Sequence, residues 1–523
     1  MSFPVILSDL TFSWPDSTPA FEGLDAVFDT GRIGLVGANG AGKSTLLRLI
    51  AGELRPQRGS VAVSGGLGYL RQDLALATGR RVDELLGIAA ARAALHRIES
   101  GTASGADFDV VGSRWDVEEQ ALALLARLGL DRIASCATEL DRRLATLSGG
   151  ETVLLGLVSQ LLAEPEVLLL DEPTNSLDGD ARGRLYDIVE RFAGTVIVVS
   201  HDRELLERMD ATAELRRGEL RLFGGAFSVY QQIIAAEQQA AAAAVRDARG
   251  DVRKQARELV EARVKLDRRK RYGDKMFRNK REPKIVMNAR KREAEVSAGK
   301  LRNGHIEKLE EAREHLEQAK ELVRDDREIR VELPHTRVHP GQRVLELDGM
   351  ALPDGRRVAL RVDGPERIAL TGRNGIGKTT LLHRITQSTP AVPWRLLPQR
   401  IDVFDEAATL FDNVAAGAPH VEPERIRAQL ARFLFRGADA DVPVSVLSGG
   451  ERLRAALAML LLADPAPRLL LLDEPTNNLD LPSLAHLTQA LAQFQGALIV
   501  VSHDRAFLDD IGVTREISLQ NDP

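Results

Sequence analysis

Two stretches of this chain have residues spaced to hold a phosphate chain. Gly37-Ala38-Asn39-Gly40-Ala41-Gly42-Lys43-Ser44-Thr45 has the pattern of a phosphate-binding loop. Its glycines let successive backbone N–H groups turn inward around phosphate oxygens. Lys43 adds a point charge for the β- and γ-phosphates, and the Ser44 hydroxyl can ligate Mg2+. Gly372-Arg373-Asn374-Gly375-Ile376-Gly377-Lys378-Thr379-Thr380 repeats the pattern, which argues against a chance glycine-rich turn. Hydrolysis of a γ-phosphate also needs charge neutralisation and an aligned water. Asp171 and Asp473 are suited to hold Mg2+, directly or through water. Glu172 and Glu474 follow them and are placed to polarise the attacking water. Gln72 and Gln399 can sense the metal and that water, and His201 and His503 can contact the γ-phosphate or steady the glutamate.

These side chains need rigid elements behind them. Ile33 to Val36 reads as a buried strand entering the first loop, and Thr45 to Ile50 starts a helix whose positive end faces the phosphates. Apolar runs, Leu168-Leu169-Leu170 and Leu470-Leu471-Leu472, lead into the two acidic pairs. β-Branched runs, Val196 to Ser200 and Ile499 to Ser502, lead into the two histidines. Ser148-Gly149-Gly150 and Ser448-Gly449-Gly450 read as helix N-termini. Their N–H groups and hydroxyl suit an anion, but without a lysine or an acidic ligand neither can do the chemistry alone.

The landmarks therefore occur twice, in the same order. The interval from Gln72 to Ser148 is longer than that from Gln399 to Ser448, so the first copy carries an insertion within about 80–132. Val82 to Arg97 and Val117 to Leu128 have helical periodicity around a Gly/Ser/Asp stretch, Gly101 to Asp109, and predict a short helical arm.

Bulk properties narrow the class. With 523 residues the chain holds several domains. Its net charge of -6, taken alone, argues against a nucleic-acid partner. A single cysteine, Cys136, excludes an internal disulfide and any cysteine-rich zinc or iron–sulfur site, and is expected to be a small buried residue in a reducing compartment. No signal peptide and no membrane-spanning run is recognisable, so a cytoplasmic protein is expected.

Phosphate loop, glutamine, Leu-Ser-Gly-Gly signature, strand ending in Asp-Glu, and histidine, in this order, resemble an ATP-binding cassette ATPase present in tandem. The resemblance implies an α/β fold with two P-loop cassettes, using ATP and Mg2+. It further implies that each signature closes over nucleotide bound to the opposite half, so that the chain works as a monomer with intramolecular cassette pairing. One composite site would join Lys43, Gln72, Glu172 and His201 to Ser448; the other would join Lys378, Gln399, Glu474 and His503 to Ser148. Trp14 stands where such cassettes stack an aromatic on adenine, with Phe12 as a possible core residue instead. The second half offers no aromatic in Leu347 to Leu352. Arg452 and Arg454 follow the second signature, whereas Thr152-Val153-Leu154-Leu155 follows the first.

The expected division is a first cassette over 1–235, a linker over 236–335 and a second cassette over 336–523. In the linker, Glu237 to Leu266 and Glu307 to Arg330 predict two long helices, a helical hairpin, with Gly273 and Pro283 breaking helix at an irregular tip. From Arg263 to Arg302 there are 16 Lys/Arg against 5 Asp/Glu, a local charge of +11, which leaves -17 for the rest of the chain. Arg268, Arg269, Lys270, Arg271, Lys275, Arg278, Lys280 and Arg281 are the candidate RNA contacts, with Tyr272, Met276 and Phe277 among them. A mixed-charge coiled coil accounts for the stalk but leaves the tip's repulsion uncompensated.

Tandem cassettes, this linker and the Asp-Glu-Pro-Thr-Asn elements (Asp171 to Asn175, Asp473 to Asn477) resemble the F subfamily of ATP-binding cassette proteins. Phe223-Gly224-Gly225-Ala226-Phe227-Ser228-Val229-Tyr230 is similar to that subfamily's junction into its linker. The resemblance implies a ribosome-binding ATPase whose linker reaches the rRNA of the peptidyl-transferase centre and the P-site tRNA. Such proteins regulate or rescue translation or protect ribosomes from antibiotics. The chain stops soon after His503, and a DNA-binding C-terminal coiled coil is not expected. The competing reading is the ATP-hydrolysing subunit of a transporter with separate membrane partners, which gives the basic linker no role.

Overall fold

The computed structural model describes residues 4–72, 79–175, 177–278, 284–323, 329, 333–351, 355–477 and 479–519. The chain divides into two compact units, one of Met1–Ser228 with Arg327–Pro523 and one of Val229–Asp326. The first unit holds two α/β cassettes. In one, the strands Leu67–Leu70, Val167–Asp171, Thr195–Val199, Arg32–Val36 and Ala211–Arg216 run parallel in that order. Glu219–Gly224 is added antiparallel at the edge. In the other, the order is Trp394–Leu397, Leu469–Asp473, Ala497–Val501, Arg367–Thr371 and Arg515–Ser518, parallel throughout.

The leucine and valine runs are continuous because the central strands are covered on both faces. Val167–Asp171, Thr195–Val199, Leu469–Asp473 and Ala497–Val501 are buried at every residue. Alternate side chains enter separate cores: Leu168 and Leu170 one, Val167 and Leu169 the other. A smaller antiparallel sheet flanks each cassette, with order Pro19–Phe28, Val5–Ser13, Arg58–Val63 in the first and the pair Arg343–Ala351 and Arg357–Asp363 in the second.

The insertion in the first cassette folds as the helices Val82–Leu85, Ala89–Glu99, Gly105–Val111 and Val117–Arg127. Part of the stretch Gly101 to Asp109, read from sequence as a connector, is helical. Asp107 closes a capping box there by accepting the Ser104 N–H at 2.8 Å. Arg92, buried inside this arm, joins its pieces through Asp83 at 3.1 Å and Asp141 at 2.7 Å, and also pairs with Glu118. The expectation for Cys136 is corrected: it is exposed. Its thiol lies 3.2 Å from the Thr138 hydroxyl at the entry to a tight turn, and neighbouring Ile133, Ala134 and Leu140 take the core positions instead.

The second unit is the helical hairpin. Its helices, Phe227–Arg278 and Lys284–Leu322, are 52 and 39 residues long. Both extend further towards the basic tip than the periodicity predicts. The first runs through Gly273, a helix-weakening residue whose cost, about 1 kcal/mol, is small against its long flanks of Arg, Lys and Ala. Pro283, Lys280 and Arg281 lie outside the described residues. Among the described residues, no helix is long and apolar enough to cross a membrane.

Candidate nucleotide sites at the cassette interface

Each phosphate loop leaves a buried strand and enters a helix that begins at its lysine, Lys43–Ile50 and Lys378–Gln387. Gly42 and Gly377 cap these helices with φ of 99° and 105°, a left-handed backbone that glycine adopts without a Cβ clash. A Cβ on Gly42 would also stand 3.0 Å from the Phe21 ring. The buried lysines span their own loops. Lys43 Nζ donates to the Gly37 and Ala38 carbonyls at 2.8 and 3.1 Å. Lys378 Nζ donates to those of Gly372 and Arg373 at 2.5 and 3.2 Å.

The acidic pairs sit at the ends of their buried strands. Ser44 Oγ donates to Asp171 Oδ1 at 3.0 Å, and in the second site the Thr379 side chain bonds the Asp473 carboxylate. Glu172 and Glu474 follow with φ of 49° and 46°. The left-handed region is costly for a glutamate, and both are held there by a backbone N–H bond to the neighbouring strand, at Val199 and Val501, each 2.9 Å. The turn aims both carboxylates at a histidine. His201 Nε2 lies 3.1 Å from Glu172 Oε1, and His503 Nε2 lies 3.5 Å from Glu474 Oε1.

Burial sets the charges. It pushes the Glu172 carboxyl up and draws Lys43 down, each opposing the other through their mutual attraction. Glu474 is pushed up to about 7 by burial, against the pull of Lys378 and Arg182. His201 is pushed down to about 3 and His503 to about 4, first by burial and then by the nearby lysine, so both imidazoles are neutral. The 3.1 Å approach of His201 to Glu172 is off the hydrogen-bond line, and neither ring nitrogen of His201 is hydrogen-bonded.

In the first cassette these groups share a cavity of about 900 Å³. Trp14, Asn39 to Thr45, Gln72, Glu172 and His201 all line it. Trp14 reaches it from the flanking sheet, edge-on to Phe12 at 5.4 Å, while Phe12 is buried in the core. Gln72 and Gln399 are exposed just beyond the edge strands Leu67–Leu70 and Trp394–Leu397. In the second cassette Lys378 Nζ, His503 Nε2 and Glu474 form a chain, the first step being 3.0 Å.

Ser148 and Ser448 are N-caps of the helices Gly149–Leu161 and Gly449–Leu461. Each forms a capping box with the glutamate three residues on, Glu151 or Glu451. Neither signature serine lines the 900 Å³ cavity. What reaches across instead is a pair of aspartates absent from the sequence reading. Asp480 accepts the Asn39 N–H at 2.8 Å, and Asp178 accepts the Asn374 N–H at 3.2 Å. Their signal is in the repeat: Leu177-Asp178 and Leu479-Asp480 occupy matching positions after the acidic pairs. Arg452, unexplained by the sequence, ties the signature helix to Glu406 at 2.5 Å and to the Ile401 carbonyl at 3.3 Å.

Within the hairpin, Arg268, Arg269, Lys270, Arg271 and Lys275 are exposed on the first helix, which ends at Arg278. Among the described residues, no three His, Cys, Asp or Glu side chains gather as a metal cage.

The family model described as "ABC transporter" matches residues 26–175 and again 356–477, just over half of the chain. The tylosin resistance ATP-binding protein TlrC of Streptomyces fradiae is 33% identical over 514 residues, spanning 91% of this chain and 90% of that protein. The energy-dependent translational throttle protein EttA of Escherichia coli K12 is 31% identical over 527 residues, spanning 92% and 86%. Among solved structures, one described as RNase-L Inhibitor shares the fold, with a TM-score of 0.54 at 17% identity over 98% of this chain and 87% of that one.

Proposed function

Because the chain belongs to the F subfamily of ATP-binding cassette proteins, and so is an ATP hydrolase, we propose that it closes on ATP and binds the ribosome, its basic hairpin touching rRNA and P-site tRNA near the peptidyl-transferase centre. The observation that carries this reading is the charge of +11 between Arg263 and Arg302 in a chain of net charge -6, with Arg268 to Arg271 exposed on a helix roughly 75 Å long. Phosphate-backbone binding is the partner chemistry that concentrated, uncompensated cations favour. In this reading the protein is cytoplasmic, acts as a monomer, and either tunes translation or shields the ribosome from a drug.

The hydrolytic step follows from the residues. Lys43 and Lys378, with the loop N–H groups, bind and neutralise the β- and γ-phosphates. Glu172 and Glu474 hold the attacking water in line and take its proton, for which their raised proton affinity suits them. His201 and His503, neutral, donate to the γ-phosphate and steady the carboxylates. Trp14 stacks on the adenine of the first site. The signatures Ser148 to Gly150 and Ser448 to Gly450 offer N–H groups to the opposite nucleotide.

The donor set fits Mg2+. A hydroxyl and a carboxylate stand together in each site, and Asp473 Oδ1 is buried without a hydrogen-bond partner. An ion that takes few protein ligands and completes its shell with phosphate oxygens and water needs no more. Ser44, Asp171 and Gln72, and Thr379, Asp473 and Gln399, would hold it, and it would neutralise charge building on the phosphates.

The test uses Glu172→Gln with Glu474→Gln, a protein expected to bind ATP without turning it over. It should sediment with ribosomes in ATP and much less in ADP. Changing Arg268 to Arg271 to alanine should flatten the salt dependence of binding, by a slope of up to about 3 to 4. Absence of ATP-dependent association with tRNA-loaded ribosomes at low salt would refute the reading. Displacement of a ribosome-bound drug would then mark the protective role.

A further inference from the structure

The cross-cassette contacts begin symmetrically and then diverge. Asp178 and Asp480 reach the opposite loops as a matched pair. One helical turn later the first cassette has Arg182 where the second has Leu484. Leu484 is packed in the core and has no donor to offer. Arg182 is nearly buried and crosses the interface. Its Nη1 lies 3.3 Å from Asp202 Oδ2 and 3.5 Å from the His503 carbonyl, while its Nε donates to the Leu177 carbonyl at 3.3 Å.

The two ends of this bridge differ in how much they depend on it. Asp202, beside His201, is held in other ways. Its Oδ2 accepts the Tyr186 hydroxyl at 2.7 Å, and its Oδ1 accepts the N–H groups of Glu204 and Leu205 at 3.0 and 3.1 Å. His503 instead meets the first cassette through its carbonyl, and its ring sits between Lys378 and Glu474. A shift of that carbonyl turns the imidazole away from both.

We propose that Arg182 is a positioning residue for the second ATP site, holding the His503 backbone from across the interface, a bond that the matching Leu484 cannot give the His201 backbone. The proposal rests on Glu474 and His503 being the hydrolytic pair of that site.

Single-turnover phosphate release from each site separately is the test, with Glu172→Gln leaving the second site active and Glu474→Gln the first. In the Glu172→Gln protein, Arg182→Ala should slow release about tenfold, the scale of a sub-ångström misplacement. The ATP concentration for half-maximal rate should change by less than about twofold, because nucleotide binding is untouched. Arg182→Lys should recover part of the rate. In the Glu474→Gln protein, Arg182→Ala should change the rate by less than about twofold. Equal losses at both sites, or none at the second, would overturn the proposal. Should the alanine variant fail to fold, Arg182→Leu, the residue type the second cassette carries at the matching place, removes the donor while keeping an apolar stem, and the same ratio between sites decides. Full hydrolysis by Glu172→Gln with Glu474→Gln would refute the glutamate assignment instead, a result separable from any effect of Arg182.

Discussion

The two cassettes carry the same candidate hydrolytic residues and differ around them. The first adds Trp14 to the cavity at its phosphate loop, a helical arm beside the sheet, and an arginine that crosses to its partner. The second links lysine, histidine and glutamate in a chain, and fastens its signature helix with Arg452 and Glu406. Duplication explains the shared set, since the strand-end carboxylates and glycine turns recur at matching positions. The differences lie one layer out, in residues that orient rather than react, where each copy is free to diverge. On the proposed roles, equal chemistry with unequal support predicts two sites that hydrolyse at different rates.

The sharpest way to break that comparison is to remove one glutamate at a time. Removing both, Glu172→Gln with Glu474→Gln, should lower steady-state phosphate release by about a thousandfold, the worth of a positioned general base. Singly, Glu474→Gln should cost the larger share, because the second site has the cross-cassette support. Equal halving by each variant would erase the distinction.

A smaller effect lies in the pH dependence of stability. Glu474 has an ordinary value of 4.5 and is raised to about 7 when folded, so between these values the folded state holds more protons than the unfolded state. Stability of the nucleotide-free protein should therefore fall as pH rises through that window, by at most about 3 kcal/mol. Glu474→Gln removes the titrating group. Its apparent melting temperature should exceed the parent's at pH 8, and the gap should close by pH 5. A gap that does not vary with pH would remove burial as the factor setting this carboxyl.

The smallest effect concerns the base. Trp14→Ala should weaken ATP at the first site by about 1–2 kcal/mol, the scale of stacking a base on an aromatic ring, and leave the second site unchanged. Titration of a fluorescent ATP analogue, with Lys378→Ala silencing the second site and Lys43→Ala the first, separates the two. Equal weakening at both would mean that Trp14 supports the fold rather than the adenine.

Most of the site was legible because its chemistry is local. A phosphate loop is one contiguous turn between a strand and a helix, and an acidic pair is two neighbours at a strand end. Their types and order along the chain point to ATP hydrolysis, and the excess of positive charge between Arg263 and Arg302 supports the proposed nucleic-acid contact. The helical hairpin followed from proline-free, charged sequence, although its inner limits did not: long helices carry through a single glycine when both flanks favour helix.

Tertiary structure decided what depends on residues far apart in the chain. Asp480 meets Asn39, and Arg182 meets His503, only because the cassettes face each other across an interface. Cys136 turns outward because Ile133, Ala134 and Leu140 take the core positions around it. Charges followed the same rule. The sequence names the carboxylates and imidazoles, but burial raises Glu474 and, together with the nearby lysine charge, keeps His201 and His503 neutral, because the cost of a charge depends on the surroundings that the fold supplies.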